Sequence, residues 1–317
     1  MGRKEEFFYP SSSGKTQIHA VRYTPDGEIK AVLQISHGMV EFIERYEEFA
    51  QFLNEHNILV TGNDHLGHGG SINSKADYGY FAEVDGNGAV LDDLHKLTVI
   101  TKELYPNVPY FLLGHSMGSF YARQYLCEYG SELDGAIIMG TGHMPLMLVK
   151  AGMVLSKIIA TFRGWRYRSK FINNMAFGGY NKRFEPGETK SDWLSKNKDS
   201  VNAYLADERC TFVFTLNGYY NMLKGISRLY DRDLLDKMPK DLPVFFMSGE
   251  DDPVGEFKEG VLRAIQTFYD AGMKNVSAQF YPDDRHEILN ELDRAEVYED
   301  ILAWMTDIIQ EKEAKQS

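Results

Sequence analysis

Short apolar runs alternate along this chain with segments in which apolar residues recur every three or four positions. The runs end at turn residues and contain no charged side chain, which is typical of strands buried on both faces. They are Ala31-Val32-Leu33-Gln34-Ile35, Ile58-Leu59-Val60, Tyr110-Phe111-Leu112-Leu113, Ala136-Ile137-Ile138-Met139 and Val244-Phe245-Phe246-Met247. The spaced segments between them predict amphipathic helices. The alternation therefore predicts an α/β fold, in which helices cover both faces of a mostly parallel sheet.

Two further segments alternate polar and apolar residues, as a strand with one solvent-facing side does. Residues 276–281 predict the last strand of the sheet. Residues 16–23 end at the turn sequence Pro25-Asp26-Gly27, so they predict an antiparallel hairpin that leads into the sheet. The predicted helical stripes are Tyr46, Phe49 and Leu53; Val90, Leu94, Leu97 and Leu104; Phe257, Val261 and Phe268; and Val297, Ile301, Trp304 and Ile308.

One long interval interrupts this rhythm. About a hundred residues separate the predicted strand before Gly140 from the one after Leu242, far more than the dozen or so that a crossover between parallel strands needs. We therefore predict an inserted domain. The predicted core comprises residues 1–140 and 239–317, and the predicted cap, or lid, comprises residues 141–238.

The charge of the chain bears on its partners. Its 34 Lys and Arg residues against 46 Asp and Glu residues give a net charge of -12. A surface of this sign repels phosphate backbones and anionic headgroups, so the composition argues against a nucleic-acid partner and favours a neutral or apolar substrate. The sequence makes no prediction about oligomeric state.

Cysteine content and apolar segments bear on the location of the protein. Cys127 and Cys210 are too few to staple a chain of 317 residues, so a reducing cytoplasm is the simplest location. No long apolar segment follows the two basic residues near the N-terminus, and no secretion signal is predicted. The longest nearly apolar stretch, residues 146–160, is interrupted by two lysines and is too short to span a bilayer.

A candidate nucleophile follows the predicted strand at residues 110–113. The sequence Gly114-His115-Ser116-Met117-Gly118 leads directly into a segment with the features of a helix start. A turn this sharp between strand and helix holds its serine in strained geometry, and the two glycines remove side chains that would clash. The hydroxyl of Ser116 is then expected to be exposed at the carboxyl edge of the sheet.

A serine hydroxyl needs a base, and the base needs a carboxylate that orients it. Both occur downstream, each after a predicted strand: Glu250-Asp251-Asp252 after residues 244–247, and His286 after residues 276–281. The order serine, acid, histidine is the order expected of an α/β-hydrolase. His286 is therefore the predicted base, whereas the residues alone leave the acid open among the three carboxylates.

Two backbone amides are candidates for the oxyanion hole, because the tetrahedral intermediate of acyl transfer carries a negative oxygen that needs donors. The amide of Met117, directly after the nucleophile, is one candidate. The second is expected in the loop after an early strand, at residues 36–41. Glycine at position 38 lets this backbone approach the substrate, which leaves the amide of Met39 free to donate.

Asp64, His65 and His68 raise the alternative of a metal site. A zinc site needs a third or fourth strong ligand, and none is suitably spaced nearby. We therefore predict neither a metal nor a cofactor. His65 is expected to support the neighbouring loops through hydrogen bonds.

Three motifs occur in a linked order along the chain. They are His37-Gly38-Met39-Val40-Glu41 with Arg45-Tyr46, Asp64-His65-Leu66-Gly67-His68-Gly69 with Ser71, and Gly114-His115-Ser116-Met117-Gly118. Together they resemble the monoacylglycerol lipase and lysophospholipase branch of the α/β-hydrolases, a superfamily of serine hydrolases. The resemblance covers approximately residues 17–140 and 240–310, while the cap is similar only in position and length.

The resemblance implies an α/β-hydrolase fold, with a mostly parallel, eight-stranded sheet and a mainly helical cap. It implies that Ser116 is the nucleophile and His286 the base, with the two backbone amides named above in the oxyanion hole. The acid of the family lies three residues after the glycine that ends its strand, here Gly249, which selects Asp252. The implied substrate is the carboxylic ester of a small lipid, such as a monoacylglycerol or a lysophospholipid.

The start of the cap has two interpretations. Residues 146–161 predict a helix on which Lys150 and Lys157 share one face and apolar residues cover the rest. The first interpretation is a helix packed on its own domain. The second is an apolar wall for an acyl chain, with transient membrane contact and the lysines reaching towards water.

Two other functions compete with lipid ester hydrolysis. The same triad serves aminopeptidases and amidases that act on small peptides, and the sign of that function would be acidic residues in the cap that pair with a substrate amine. Asp207-Glu208 is the only candidate pair in the sequence. The other possibility is a protein of this fold that binds ligands without turnover, since a fold alone does not establish activity.

Overall fold

The computed structural model describes residues 2–316 and is centred on one sheet. Its strands are β1 (Arg3–Pro10), β2 (Gln17–Thr24), β3 (Ala31–Ser36), β4 (Ile58–Asn63), β5 (Tyr110–His115), β6 (Gly135–Met139), β7 (Val244–Gly249) and β8 (Val276–Tyr281). Their order across the eight-stranded sheet is β1-β2-β4-β3-β5-β6-β7-β8. Strands β3 to β8 are parallel, and β2 pairs antiparallel with both β1 and β4. This arrangement confirms the predicted α/β-hydrolase fold.

Burial on both faces explains why the central strands are visible in the sequence. Every residue of β3, β4, β5, β6 and β7 is buried. Successive side chains point to opposite faces of the sheet and enter two separate hydrophobic clusters. In β5, Phe111 and Leu113 lie in one cluster, and Tyr110 and Leu112 lie in the other. Apolar side chains are therefore needed at consecutive positions.

Helices cover both faces of the sheet. They are α1 (Glu47–Glu55), α2 (Gly86–Leu104), α3 (Met117–Tyr129), α4 (Leu146–Arg163), α5 (Lys170–Phe177), α6 (Lys198–Ala206), α7 (Leu216–Arg228), α8 (Arg232–Leu235), α9 (Glu259–Asp270) and α10 (Arg294–Gln316). Phe49 of α1 and Val297 of α10 join the cluster that contains Phe111. Leu94 of α2 and Phe268 of α9 join the opposite cluster, so the sheet is enclosed between two helical layers.

The N-terminal hairpin corrects the sequence prediction. Strand β2 pairs with β1, and the chain reverses between them at residues 11–16, where the Ser11 amide donates to the Thr16 carbonyl at 2.9 Å. Gly14 has a φ of 75°, which suits glycine in such a turn. The sequence Pro25-Asp26-Gly27 instead connects β2 to β3, and β4 lies between those two strands. It is therefore not a hairpin turn.

One predicted helical stripe is wrong at its first residue. Phe257 precedes α9, which begins at Glu259. Glu256, Phe257 and Lys258 all have positive φ angles, of 50°, 55° and 81°. A right-handed helix cannot contain such residues. The apolar side of α9 therefore begins at Val261, which is fully buried.

The long interval between β6 and β7 folds into α4 to α8 and short 3-10 helices. Helix α4 contains the predicted helix at residues 146–161 and packs against α7, which also contacts α2 and α3. Ile172 and Phe214 join the hydrophobic cluster on the α2 side of the sheet. The inserted helices thus share a core with the body of the molecule. Within residues 2–316, no helix is long and apolar enough to cross a membrane.

Candidate active site

Ser116 occupies the sharp turn between β5 and α3. Its φ and ψ of 53° and -119° lie outside the regions that most side chains adopt. Hydrogen bonds hold this conformation: the Ser116 amide donates to the Met139 carbonyl at 3.0 Å, and the Ser119 hydroxyl donates to the Ser116 carbonyl at 2.6 Å. The side chain of Ser116 is only partly buried, as a nucleophile at the surface of a site must be.

The two glycines of the turn sit where no side chain fits. A Cβ on Gly118 would lie 1.9 Å from the carbonyl oxygen of Ser36, and a Cβ on Gly114 would lie 2.6 Å from Cβ of Ala122. Both contacts are far inside van der Waals distance, so helix α3 packs directly on the end of the sheet. The sequence motif is therefore explained by close approach of backbone to backbone.

Asp252 and His286 form a buried pair at the ends of β7 and β8. Oδ2 of Asp252 lies 2.9 Å from Nδ1 of His286, and the Val254 amide donates to the other carboxylate oxygen at 2.8 Å. Asp252 is inaccessible to solvent, and His286 is 3% exposed. Because an ionised carboxylate only accepts hydrogen bonds, this contact favours the tautomer of a neutral imidazole that carries its proton on Nδ1 and leaves the lone pair of Nε2 available. This is the tautomer that a general base requires.

Two consecutive residues at the end of β6 contact the Ser116 turn and His286 in turn. The Ser116 amide is bonded to the carbonyl of Met139, and the next residue, Gly140, faces His286. A Cβ on Gly140 would lie 3.2 Å from Cε1 of His286. The predicted nucleophile, acid and base follow the carboxyl ends of β5, β7 and β8, which lie at one edge of the sheet.

The other two carboxylates of the acidic loop have different partners. Oδ1 of Asp251 lies 3.0 Å from a guanidinium nitrogen of Arg183 in the inserted segment. Glu250 pairs with Lys258 at 2.9 Å. Of the three consecutive carboxylates that the sequence left open, Asp252 is the one that contacts the imidazole.

The predicted oxyanion loop reaches the nucleophile through Gly38. A Cβ at this position would lie 3.1 Å from Cβ of Ser116 and 2.5 Å from Oε1 of Glu41. The Gly38 amide donates to Glu41 at 2.5 Å, which fixes the loop. The amides of Met39 and Met117 have no acceptor among the described residues. Both amides are therefore available to a ligand beside Ser116.

A buried network that the sequence did not predict lies behind these loops. Oε1 of Glu41 accepts a hydrogen bond from the Tyr46 hydroxyl at 3.0 Å and lies 3.1 Å from Nδ1 of His115. Nε2 of His115 lies 3.2 Å from the carbonyl oxygen of His286. Arg45 donates to Glu41 at 2.9 Å and makes two bonds of 2.7 Å to Glu287, the residue after His286. The network thus connects the loop of Gly38, the turn of Ser116 and the loop of His286.

The charges of this network stabilise one another. Burial disfavours a charged Glu41, but the hydrogen bond and charge of His115, together with Arg45, lower the pKa of Glu41 below its ordinary value. Burial likewise opposes a charged His115, yet Glu41 raises the pKa of His115. The spacing of Glu41 and Arg45, four residues apart, was the one sequence signal for this pairing.

The segment of Asp64, His65 and His68 holds neighbouring loops together through hydrogen bonds of Asp64. The Asp64 carboxylate lies 2.8 Å from Nδ1 of His19 and accepts the amides of Ile43 and Gly70 at 2.8 and 2.7 Å. Burial lowers the pKa of His65 well below its ordinary value and lowers the pKa of His68 to about 3, so both rings are neutral. Residues 2–316 contain no group of three His, Cys, Asp or Glu side chains arranged to hold a metal.

The inserted segment contacts the candidate base directly. The ring of Trp193 lies 5.1 Å from the ring of His286, centroid to centroid. Tyr180 packs against Trp193 at 5.0 Å. The guanidinium of Arg45 lies 5.0 Å from the ring of Tyr204. These aromatic contacts were not predicted from the sequence.

Comparison with known proteins identifies the family of this chain. A family model described as serine aminopeptidase, S33 (Hydrolase_4) matches residues 27–293. The monoglyceride lipase of Rattus norvegicus is 31% identical over 189 residues, which cover 58% of this chain and 54% of that protein. The monoacylglycerol lipase of Mycolicibacterium smegmatis is 24% identical over 291 residues, covering 89% and 90%. The chain therefore spans about half the length of the rat protein (54%).

A solved structure is similar over the whole chain. The thermostable carboxyl esterase from Bacillus coagulans, crystallised in complex with glycerol, superposes with a TM-score of 0.89 at 29% identity, covering 98% of this chain and 100% of the esterase. The protein is thus an α/β-hydrolase. Because the family model extends over most of its length, the chain belongs to the serine aminopeptidase S33 family within that fold. The resemblance to the monoacylglycerol lipase branch is confirmed by these matches.

Proposed function

We propose that this protein is a cofactor-independent serine hydrolase that cleaves the carboxylic ester of a small lipid, such as a monoacylglycerol or a lysophospholipid. The single observation that carries the proposal is the buried bond between Asp252 and His286 beside the strained turn of Ser116. The monoglyceride lipases and the carboxyl esterase among its relatives support the choice of an ester.

In the proposed reaction, Oγ of Ser116 attacks the ester carbonyl while Nε2 of His286 takes the hydroxyl proton. The carbonyl oxygen becomes negative and is held by the amides of Met39 and Met117. Asp252 stabilises the imidazolium that forms. The imidazolium then gives its proton to the alcohol that leaves, which produces an acyl-enzyme. Water, deprotonated by His286, attacks the acyl-enzyme ester, and the imidazolium returns the proton to Oγ of Ser116 as the bond between Oγ and the acyl carbon breaks, which releases the fatty acid and restores the Ser116 hydroxyl.

The decisive experiment combines a fluorophosphonate probe with hydrolysis of p-nitrophenyl butyrate. We expect the probe to label wild-type protein at Ser116, and we expect Ser116→Ala to lower kcat by about 10⁴-fold or more because only binding and the oxyanion hole remain. Ser277→Ala, at an exposed position on β8, is the matched control and should keep full activity. Near-normal hydrolysis by Ser116→Ala would show that the mechanism is wrong.

The aminopeptidase alternative finds less support. Its two candidate acids are already paired: Asp207 with Arg209 at 2.8 Å and Glu208 with Lys75 at 2.7 Å. Each carboxylate thus already has a cationic partner, which weakens the case for a substrate amine at this position. A panel of monoacylglycerols, lysophospholipids and aminoacyl amides, assayed with one preparation, tests this choice. Preferred cleavage of the amides would favour the peptidase, and absence of probe labelling in folded protein would favour a ligand-binding protein.

We also propose that residues 141–238 act as a cap whose helix α4 touches a lipid surface transiently. Val149 is buried against Leu223 and Ile226 of α7, whereas Met147 and Phe162 are 84% and 81% exposed. Leu148, Val154 and Ile158 are also exposed, and the helix carries Lys150 and Lys157 at its surface. Although the chain as a whole is acidic, α4 contains no carboxylate, and its apolar side chains flanked by lysines suit the boundary between acyl chains and anionic headgroups.

Co-sedimentation with vesicles of phosphatidylcholine and an anionic phospholipid tests the surface contact. We expect Phe162→Ser combined with Leu148→Ser to weaken vesicle binding while hydrolysis of dissolved p-nitrophenyl butyrate is retained. Leu262→Ser removes an exposed apolar side chain of α9 and serves as the control. Equal binding by all three proteins would contradict the contact.

A reducing cytoplasmic location is proposed on the state of the cysteines. Cys127 and Cys210 are both buried and free. Burial raises the pKa of each thiol to about 12, so neither is a reactive thiolate. Fractionation of cells that express the tagged protein would test the location, and recovery outside the cytoplasmic fraction would contradict it.

A further inference from the structure

The inserted segment at residues 192–197 runs beside the loop that carries His286. The Glu287 amide donates to the Leu194 carbonyl at 2.7 Å, and the His286 amide donates to the Trp193 carbonyl at 3.4 Å. Trp193 also places its ring against the imidazole. The backbone of the inserted segment therefore accepts hydrogen bonds from two consecutive residues, His286 and Glu287.

The side chain of Glu291 binds both the inserted segment and the loop that carries His286. It is inaccessible to solvent. Oε2 accepts the Ser195 hydroxyl at 2.8 Å and the Lys196 amide at 2.9 Å, both from the inserted segment. Oε1 accepts the amide of Arg285, the residue before His286, at 3.0 Å. A buried carboxylate held by three donors, from both sides of a junction, fixes the distance between them.

Two cations strengthen this junction. The guanidinium of Arg285 donates to the carbonyls of Asp192 at 2.5 Å and Ser195 at 3.3 Å. Nζ of Lys196 lies 2.6 Å from Oδ1 of Asp284, a carboxylate that precedes Arg285 directly. Residues before and after His286, namely Asp284, Arg285 and Glu287, thus bind the inserted segment, so its loop is held on both sides of the imidazole.

We propose that Glu291 is a positioning residue through which the cap holds the catalytic base in place. The inference rests on the proposed function, in which His286 is that base. Glu291 contacts no reacting atom and acts through the backbone of Arg285 and the cap. Its loss lets the histidine loop shift relative to Ser116, and a shift of about 1 Å costs on the order of 100-fold in rate. The effect falls on kcat, because substrate binding does not use Glu291.

Three variants test the proposal. Glu291→Gln keeps the size of the side chain but replaces one acceptor oxygen by a donor group, which then faces a backbone or hydroxyl donor. Ser195→Ala removes one donor on the cap side and is milder. Glu188→Gln neutralises an exposed carboxylate of the inserted segment that pairs with Lys198, and is the matched control. Kinetics with p-nitrophenyl butyrate and the low-field proton signal of His286 Nδ1–H are measured for each.

We expect Glu291→Gln to lower kcat by about 10- to 100-fold with little change in KM, and to weaken or shift the low-field signal. Ser195→Ala should change both readouts in the same direction by less, and Glu188→Gln should match the wild type. A folded Glu291→Gln variant with wild-type kcat and an unchanged signal overturns the proposal. If Glu291→Gln does not fold, wild-type kcat and signal in Ser195→Ala overturn it instead.

Failure of the proposed function is recognised separately. It would leave wild-type protein unlabelled by the fluorophosphonate probe and inactive on esters. The signal of His286 Nδ1–H does not depend on substrate, so it would still report whether Glu291 holds the imidazole against Asp252.

Discussion

Asp252 and His286 lie 34 positions apart in the chain, and a hydrogen bond of 2.9 Å joins their side chains. The pairing follows from the sheet. Gly249 ends β7 and lies opposite Tyr281, which ends the adjacent parallel strand β8. The loops after both strands therefore leave the sheet at the same edge, and the side chains a few residues later meet in a buried space. Ligand sites of open α/β sheets lie at this edge, outside the carboxyl ends of the strands.

Replacement of Asp252 by asparagine tests this pair. The side-chain amide of Asp252→Asn would donate towards Nδ1 and favour the wrong tautomer of His286, so we expect kcat to fall by about 10³- to 10⁴-fold. Steady-state hydrolysis of p-nitrophenyl butyrate measures the loss. Asp251→Asn is the matched control, because Asp251 pairs with Arg183 and does not contact the imidazole. A larger loss in Asp251→Asn than in Asp252→Asn would mean that the acid is misassigned.

A methyl group at Gly38 should displace the oxyanion loop. The Cβ of Gly38→Ala would lie 3.1 Å from Cβ of Ser116 and 2.5 Å from the immobilised carboxylate of Glu41. We expect kcat to fall by about 100-fold, the cost of losing one oxyanion donor. Gly179→Ala is the control, because nothing lies within 4 Å of its Cβ position. Unchanged kcat in Gly38→Ala would place the oxyanion donors elsewhere.

Removal of Arg45 should destabilise the fold. Arg45→Met leaves the Glu287 carboxylate buried without its cation and leaves Glu41 with His115 as its charged partner, and the two carboxylate side chains are only 4% and 5% exposed. We expect the free energy of unfolding in urea to fall by about 3–5 kcal/mol. Lys15→Met breaks the exposed pair with Glu83 and should have no measurable effect. Equal stability of the two variants would show that the network does not support the fold.

Asp284 gives a prediction about pH. Burial raises the pKa of its carboxyl to about 7, although Lys196 opposes the shift, against an ordinary value of 3.8. The folded protein therefore holds this proton more tightly than the unfolded chain, and the free energy of unfolding falls as the pH rises from 3.8 to about 7. Asp284→Asn removes this loss. Its stability relative to wild type should rise by on the order of 1 kcal/mol or more between about pH 4 and pH 8.

Urea unfolding of both proteins at the two pH values measures this difference. The exposed neighbour Asp283 supplies the control, since Asp283→Asn makes the same chemical change outside the buried space. A stability difference between Asp284→Asn and wild type that does not depend on pH would contradict the assignment.

The central strands and the nucleophile turn were predictable because their causes are local. Strands β3 to β7 are buried on both faces, so their apolar runs leave few alternatives. The turn at Ser116 needs two glycines at fixed spacing, and that requirement is visible in five consecutive residues. Both patterns lie within short stretches of the sequence, so predicting these elements did not require knowledge of the distant elements that pack against them.

Strand β1 was not predicted because it lies at the edge of the sheet and carries exposed charged residues. Its pairing with β2 also moved the hairpin turn away from Pro25-Asp26-Gly27. An edge strand forms because it pairs with a neighbouring strand, here β2. Its exposed polar side chains interrupt the alternation of polar and apolar residues by which a strand is predicted.

The amino-acid sequence by itself determined the fold class, the order of the central strands along the chain and the candidate nucleophile and base. Only the tertiary structure decided that Arg45 meets Glu287, which is 242 positions away, and that Glu291 binds the inserted segment. The physical reason is that periodicity reports which side of a helix or strand is buried, whereas the partner of a buried charge depends on how the elements pack.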